Sequence, residues 1–137
     1  LCTCGHDIAD TTTNLPYAGF AYVIRDQHQE QFWDAVYQDV ASFVAALAEN
    51  KREAWIIARL GKQYPRDLPD RDVLNDIITN HFNDRSLTVY QCENCGRLWV
   101  QEAPYSNQYR PFYPEGERRD TLAVRNTAQS PQGGAQE

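Results

Sequence analysis

Methionine is absent from this 137-residue chain, and cysteine occurs only four times. Cations are scarce as well: 13 Lys and Arg stand against 19 Asp and Glu, for a formal net charge of −6. That balance disfavours general affinity for DNA, RNA or anionic membranes, because such binding depends on Lys and Arg neutralising phosphates. A protein partner of basic character fits it better. No apolar run approaches the roughly 20 residues that a membrane helix needs. Nor does a positively charged segment followed by an apolar stretch open the chain, as a signal peptide would. The start at Leu1 leaves an upstream segment open; the expectation is a cytoplasmic protein. Catalytic signatures are missing too, with no GxSxG, no HExxH, no phosphate-cradling glycine loop and no dinucleotide fingerprint.

What is present includes 42% hydrophobic residues, three Trp, five Phe and eight Tyr, enough for one modest core and hence one domain. The four cysteines fall into two hooks, Cys2-Thr3-Cys4-Gly5-His6 and Cys92-Glu93-Asn94-Cys95-Gly96. A Cys-x-x-Cys-Gly turn lets two sulfurs converge while backbone amides hydrogen-bond them, and the glycine relieves the tight geometry. The first hook is one residue shorter and less regular. In an oxidising compartment the same residues read as two disulfides, but pairing Cys2 with Cys4 closes a very small strained ring. Spacing therefore favours one structural Zn2+ held by Cys2, Cys4, Cys92 and Cys95. Joining the hooks closes a loop of about 90 residues, at a cost on the order of 4 kcal/mol. Structural zinc contributes roughly 10–16 kcal/mol in peptide systems.

Four thiolates leave no open position for a water, so the site predicts no catalysis and the protein no enzyme. His6 lies two residues past Cys4 and can replace Cys2 if the terminus frays; otherwise it bonds a sulfur or faces water. His28 reads as a solvated surface residue, and His81 as a partner of a helix dipole. Asp7, Asp10 and Asp26 read as caps and turns.

Between the hooks the pattern turns helical. After Leu15-Pro16-Tyr17, which must be extended or turned, Gly19–Ile24 reads as a strand. Asp26 has the chemistry of an N-cap, with Gln29 completing a capping box and Glu30 at the positive end of the dipole. Phe32, Trp33, Val36, Tyr37, Val40, Phe43, Val44 and Leu47 then recur as one broad apolar face, fading near Glu49-Asn50. A second helix spans Arg52–Leu60 and stops at Gly61. A loop follows, and a third helix begins with Asp70 as cap, buries Val73, Leu74, Ile77, Ile78 and Phe82, and ends near Asn83-Asp84. Leu87–Tyr90 and Leu98–Val100 form a hairpin whose tip is the second hook. The aromatic group Trp99, Tyr105, Tyr109, Phe112 and Tyr113 lies against the sheet; with Arg85 and Arg97 offset by Glu93 and Glu102, it suits packing or a protein interface more than base stacking. From Glu117 the composition is that of a disordered tail. The expected architecture is thus α+β: a zinc-ribbon-like small antiparallel sheet in one domain over 1–116, a helical insert of two to three helices at about 26–84, and a tail over 117–137.

The CxCGH hook, Leu15-Pro16-Tyr17, the helical insert and Cys92-Glu93-Asn94-Cys95-Gly96-Arg97-Leu98-Trp99-Val100 together resemble a group of small, mostly uncharacterised bacterial proteins with a split zinc ribbon. The resemblance implies zinc at the four cysteines. Some bacterial immunity proteins, of similar size and charge, neutralise a toxin by burying it against an acidic surface, so that use suits the scaffold. The CxC-then-CxxC order is also similar to the zinc-centred redox switch of an oxidation-activated chaperone, although there a short linker joins the hooks. Three functions follow: a zinc-stabilised protein that binds another protein, a redox-responsive zinc protein, and a single-strand-binding ribbon. Oligomeric state is open.

Overall fold

The structure is a computed structural model and describes residues 1–8, 19–116 and 121–122. Among them are three helices and a four-stranded antiparallel sheet, the α+β class expected. Strand β1 (Phe20–Ile24) precedes α1 (Asp26–Ala48), α2 (Arg52–Leu60) and α3 (Asp70–Asn83); β2 (Ser86–Gln91), β3 (Leu98–Gln101) and β4 (Tyr109–Phe112) follow. The sheet order is β1-β2-β3-β4, and β2 pairs with β3 through Val89↔Val100, Tyr90↔Trp99 and Gln91↔Leu98. Strand β4 was not expected, because Pro111 lies within it. A proline cannot donate to a ladder, and β4 tolerates it as the edge strand. Leu15-Pro16-Tyr17, and the expected tail except Thr121 and Leu122, fall outside the described residues.

Two compact units make up the chain. One contains the N-terminal hook, Thr88–Val100 and the segment from Tyr109; the other contains Tyr22–Leu87 and Gln101–Gln108. In the helical unit, Phe43, Ile56, Val73 and Ile77 are 2% exposed or less and form the core, with Leu47, Trp55, Leu60 and Leu74 packed around it. Each such burial stabilises by about 1.5–3 kcal/mol. The long loop before α3 is held by Arg52, whose Nε donates to Asp70 Oδ1 at 2.7 Å and whose Nη1 donates to the Arg66 carbonyl at 2.6 Å.

Three local expectations are corrected. Asp26 is the first helical residue of α1, and Arg25, with extended backbone, is the N-cap; no side chain caps the helix, so the Asp26–Gln29 box does not form. Asp70 is likewise displaced by Pro69, because its carboxylate is taken by Arg52. Of the long apolar face, Phe32, Val36 and Phe43 are buried, whereas Trp33, Tyr37 and Val44 are 45%, 64% and 54% exposed. Ile78 of α3 is exposed in the same way. Eight apolar positions at spacings of one, three and four cover more than one face of a helix, and the core takes only part of that arc.

Candidate metal centre

The two hooks fold alike because their sequences are alike, offset by one residue. In the first, Gly5 N–H donates to the Cys2 carbonyl at 2.8 Å and Cys2 N–H to the His6 carbonyl at 2.9 Å. In the second, Gly96 N–H donates to the Cys92 carbonyl at 2.7 Å and Cys92 N–H to the Arg97 carbonyl at 2.9 Å. Each loop closes with its glycine at positive φ, 88° for Gly5 and 73° for Gly96, a conformation that a Cβ would strain. The shorter CxC spacing thus gives the same knuckle with one residue fewer.

The sulfurs converge with a cross-over symmetry. Cys2 Sγ lies 3.7 Å from Cys95 Sγ, and Cys4 Sγ lies 3.6 Å from Cys92 Sγ, so the first cysteine of each hook faces the second of the other. All four sulfurs are within 4.8 Å of one another. These separations far exceed the bond length of about 2.05 Å in a disulfide. All four cysteines are free. One ion at the centre can touch all four, so the cluster is suited to binding a metal. The His6 ring is not in the group: the Cys2 it was to replace is 1% exposed and firmly seated.

Charge around the sulfurs is uneven. Burial pushes the Cys2 thiol up, but the Cys4 N–H and the Trp99 side chain outweigh it and leave the group lowered to about 5. Trp99 acts through an imperfect contact, since its buried Nε1 makes no hydrogen bond of normal geometry. At exposed Cys4, the His6 N–H and the Asn94 amide, 3.6 Å from Sγ, hold the thiol below its usual range. Burial wins at Cys92, which is pushed up to about 12. Beside Cys2, the Arg97 Nη1 sits 3.9 Å from Sγ while its guanidinium covers the Tyr113 ring at 4.1 Å. A cation there offsets the excess negative charge of a tetrathiolate centre. Sequence reasoning weighed Arg97 only as a cation beside the aromatic group and gave Asn94 no role; the signal for a place at the sulfurs was a polar residue inside the hook and a cation next to its glycine.

The other singled-out residues serve packing and local polar contacts. Tyr109 tilts against Tyr90 at 5.6 Å, and Tyr105 Oη donates to Asp84 at 2.7 Å. Phe112 is exposed, and Arg85 is directed to His81, its Nη1 3.4 Å from Nδ1. His28 is half-buried on α1, Asp7 is exposed, and Asp10 lies outside the described residues. His81 has a partner beyond the helix dipole. Its Nε2 lies 2.6 Å from Asp39 Oδ2, and Asp39 Oδ1 lies 2.5 Å from Arg59 Nη2, so one buried carboxylate ties α1 to both other helices. Asp39 sits on the apolar stripe of α1, where an acid amid core positions was the available sign.

No helix among the described residues is long and apolar enough to cross a membrane. No curated protein and no solved structure matches the chain. A family profile does match, over residues 1–116, which include both hooks and every helix and strand described above. The chain belongs to the family described as Domain of unknown function (DUF8617).

Proposed function

We propose that this protein is a non-enzymatic, structural-zinc protein of zinc-ribbon type that acts by binding another protein. The observation that carries the zinc reading is the pair of crossed sulfur separations, 3.7 and 3.6 Å. Four sulfurs placed about 2.3 Å from a tetrahedral ion stand roughly 3.8 Å apart along each edge. Those two edges match that figure, and the remaining sulfur–sulfur separations do not exceed 4.8 Å. A donor set of thiolates alone is soft, which suits zinc and disfavours magnesium or calcium. Zinc bound there supplies folding free energy and cross-links the chain termini of the ribbon; Cys2, Cys4, Cys92 and Cys95 hold it, while Arg97 and Asn94 balance its thiolates. A closed sphere of four sulfurs gives substrate no place on the metal. With catalysis set aside, the acidic balance of the chain supports a role in binding a basic protein.

Elemental analysis of purified protein tests the first half, with one zinc per chain expected. Capture from the source cell on the zinc-loaded and chelated forms tests the second. A specific protein retained by the loaded form is expected; zinc-free material, or no retained protein, would remove the corresponding half.

One observation favours a redox-responsive alternative: Cys4 is the exposed member of the cluster and sits beside Cys92. Hydrogen peroxide would take two electrons from this pair of thiolates and, with two protons from solvent, form two waters, leaving one S–S bond and removing two ligands from the metal. Reversible zinc release by mild peroxide would support that reading, and zinc inert to it would rule it out.

A further inference from the structure

The metal centre leaves the largest aromatic feature of the helical unit without a task. Five rings form one series: Tyr22 meets Phe82 edge-on at 5.3 Å, and Phe82 meets Phe32 at 6.3 Å. Phe32 then meets Trp33 at 4.9 Å, and Trp33 stacks on Tyr37 at 5.9 Å. Phe32 is buried, but the series emerges into solvent at Trp33 and Tyr37, which are 45% and 64% exposed. Val40 and the exposed Val44 extend the same line along α1, since positions 33, 37, 40 and 44 recur at helical spacing on one stripe. Apolar surface of this kind, with a Trp stacked on a Tyr, has the composition of an interface hot spot.

Charge selects the occupant. The 23 residues of α1 include no Lys or Arg. Asp26, Glu30 and Asp34 are exposed in its first turns, and no ion pair forms at any of the three among the described residues. Glu30 lies three residues before Trp33 and Asp34 three before Tyr37, so a carboxylate neighbours each ring at helical spacing, the field over the stripe is negative, and the faces of Trp33 and Tyr37 themselves attract cations. A second copy of this chain does not suit the surface, because α1 laid on α1 would oppose carboxylates with no cation on either helix. An anionic membrane is repelled for the same reason.

We propose that this stripe is the docking surface for a cationic amphipathic helix of a partner protein. Its apolar residues would cover Trp33, Tyr37 and Val44, and its Lys and Arg would flank Glu30 and Asp34, the helix-on-helix mode of recognition. The assignment rests on the protein-binding reading above and is independent of the metal.

The probe is a synthetic 18-residue helix with one Leu stripe flanked by Lys, titrated against the zinc-loaded full chain by calorimetry; a second peptide carries Glu in place of Lys. Saturable one-to-one binding of the Lys peptide alone is expected. Tyr37→Ala and Asp34→Lys should each weaken it at least tenfold, while Asp67→Lys, on the loop before α3, should change it less than twofold. Tyr37 and Asp34 are exposed, so both variants should keep the zinc content and melting temperature of the parent, which are measured alongside. Equal affinity for all variants would reduce the binding to unspecific charge attraction and overturn the proposal, as would no binding at low salt. A concentration-dependent dimer abolished by Tyr37→Ala would make a second copy the occupant and equally overturn it. If a partner captured from the cell binds Tyr37→Ala undiminished, the surface fails while the protein-binding reading stands; if no partner is captured, that reading fails on its own.

Discussion

Replacing Asp39 with Ala should be the most destabilising single change at a polar residue of the helical unit. The side chain is 9% exposed, and its two oxygens engage Arg59 Nη2 at 2.5 Å and His81 Nε2 at 2.6 Å. Removing one partner of a buried pair costs about 3–5 kcal/mol when the other charge is left uncompensated. Here the orphans differ in access. Arg59 is 52% exposed and can turn to water, whereas His81 is 16% exposed and has the Arg85 guanidinium on its other side. The loss should therefore fall near the lower end, about 3 kcal/mol. For a chain of this length that lowers the melting temperature by about 10 °C. Asp39→Asn should recover only part of it: Arg59 and His81 engage different oxygens, and the partner at the position that becomes NH2 meets a donor in place of an acceptor. Arg59→Ala should cost about 1 kcal/mol or less, since its half of the pair is solvated. The assay is thermal unfolding followed by far-ultraviolet circular dichroism, with zinc content held equal across variants. A loss below about 0.5 kcal/mol for Asp39→Ala would refute the reasoning, because that is the range of ordinary surface substitutions.

Two further predictions concern protons. Because burial pushes the Cys92 thiol up while the Cys4 N–H and Trp99 hold Cys2 low, the four-sulfur cluster still holds proton at neutral pH, and a metal entering it releases proton. Apparent affinity should rise about tenfold per pH unit for each proton released, read by calorimetry in buffers of different ionisation enthalpy; a pH-independent affinity would contradict it. Burial and the neighbouring Asp76, which accepts from Tyr64 Oη at 2.6 Å, raise the Tyr64 hydroxyl from 10.0 to about 12. A raised folded-state value means that this contribution to stability is whole below pH 10 and lost as pH climbs through about 12. The advantage of the parent over Tyr64→Phe in denaturant unfolding should shrink across that window, and a constant difference would count against the assignment.

The cysteine cluster was legible because a hook carries its own geometry: two cysteines, a tight turn and a glycine are local facts, and only their mutual approach had to be inferred. Helix α2 was legible at both ends for a similar reason, with Arg52 opening a periodic stretch that Gly61 stops. The caps of α1 and α3 were misplaced by one residue because an aspartate near a helix start serves equally well as cap or as first-turn charge; at Asp70 the choice fell to Arg52, remote in sequence. Strand β4 was hidden by Pro111, whose tolerance depends on lying at the sheet edge, a property of the assembled sheet. His81 and Asp39 are 42 residues apart, and no periodicity links two polar residues on different helices. The division of the α1 apolar arc into buried Phe32, Val36 and Phe43 and exposed Trp33, Tyr37 and Val44 likewise depends on how much of that arc the neighbouring helices cover.

X-ray absorption at the zinc edge of the loaded full-length protein puts the centre itself to the question. Four sulfur scatterers at about 2.3 Å, with no lighter atom in the first shell, are the predicted result. A nitrogen or oxygen at about 2.0–2.1 Å, contributed by His6 or by water, would contradict the closed tetrathiolate account.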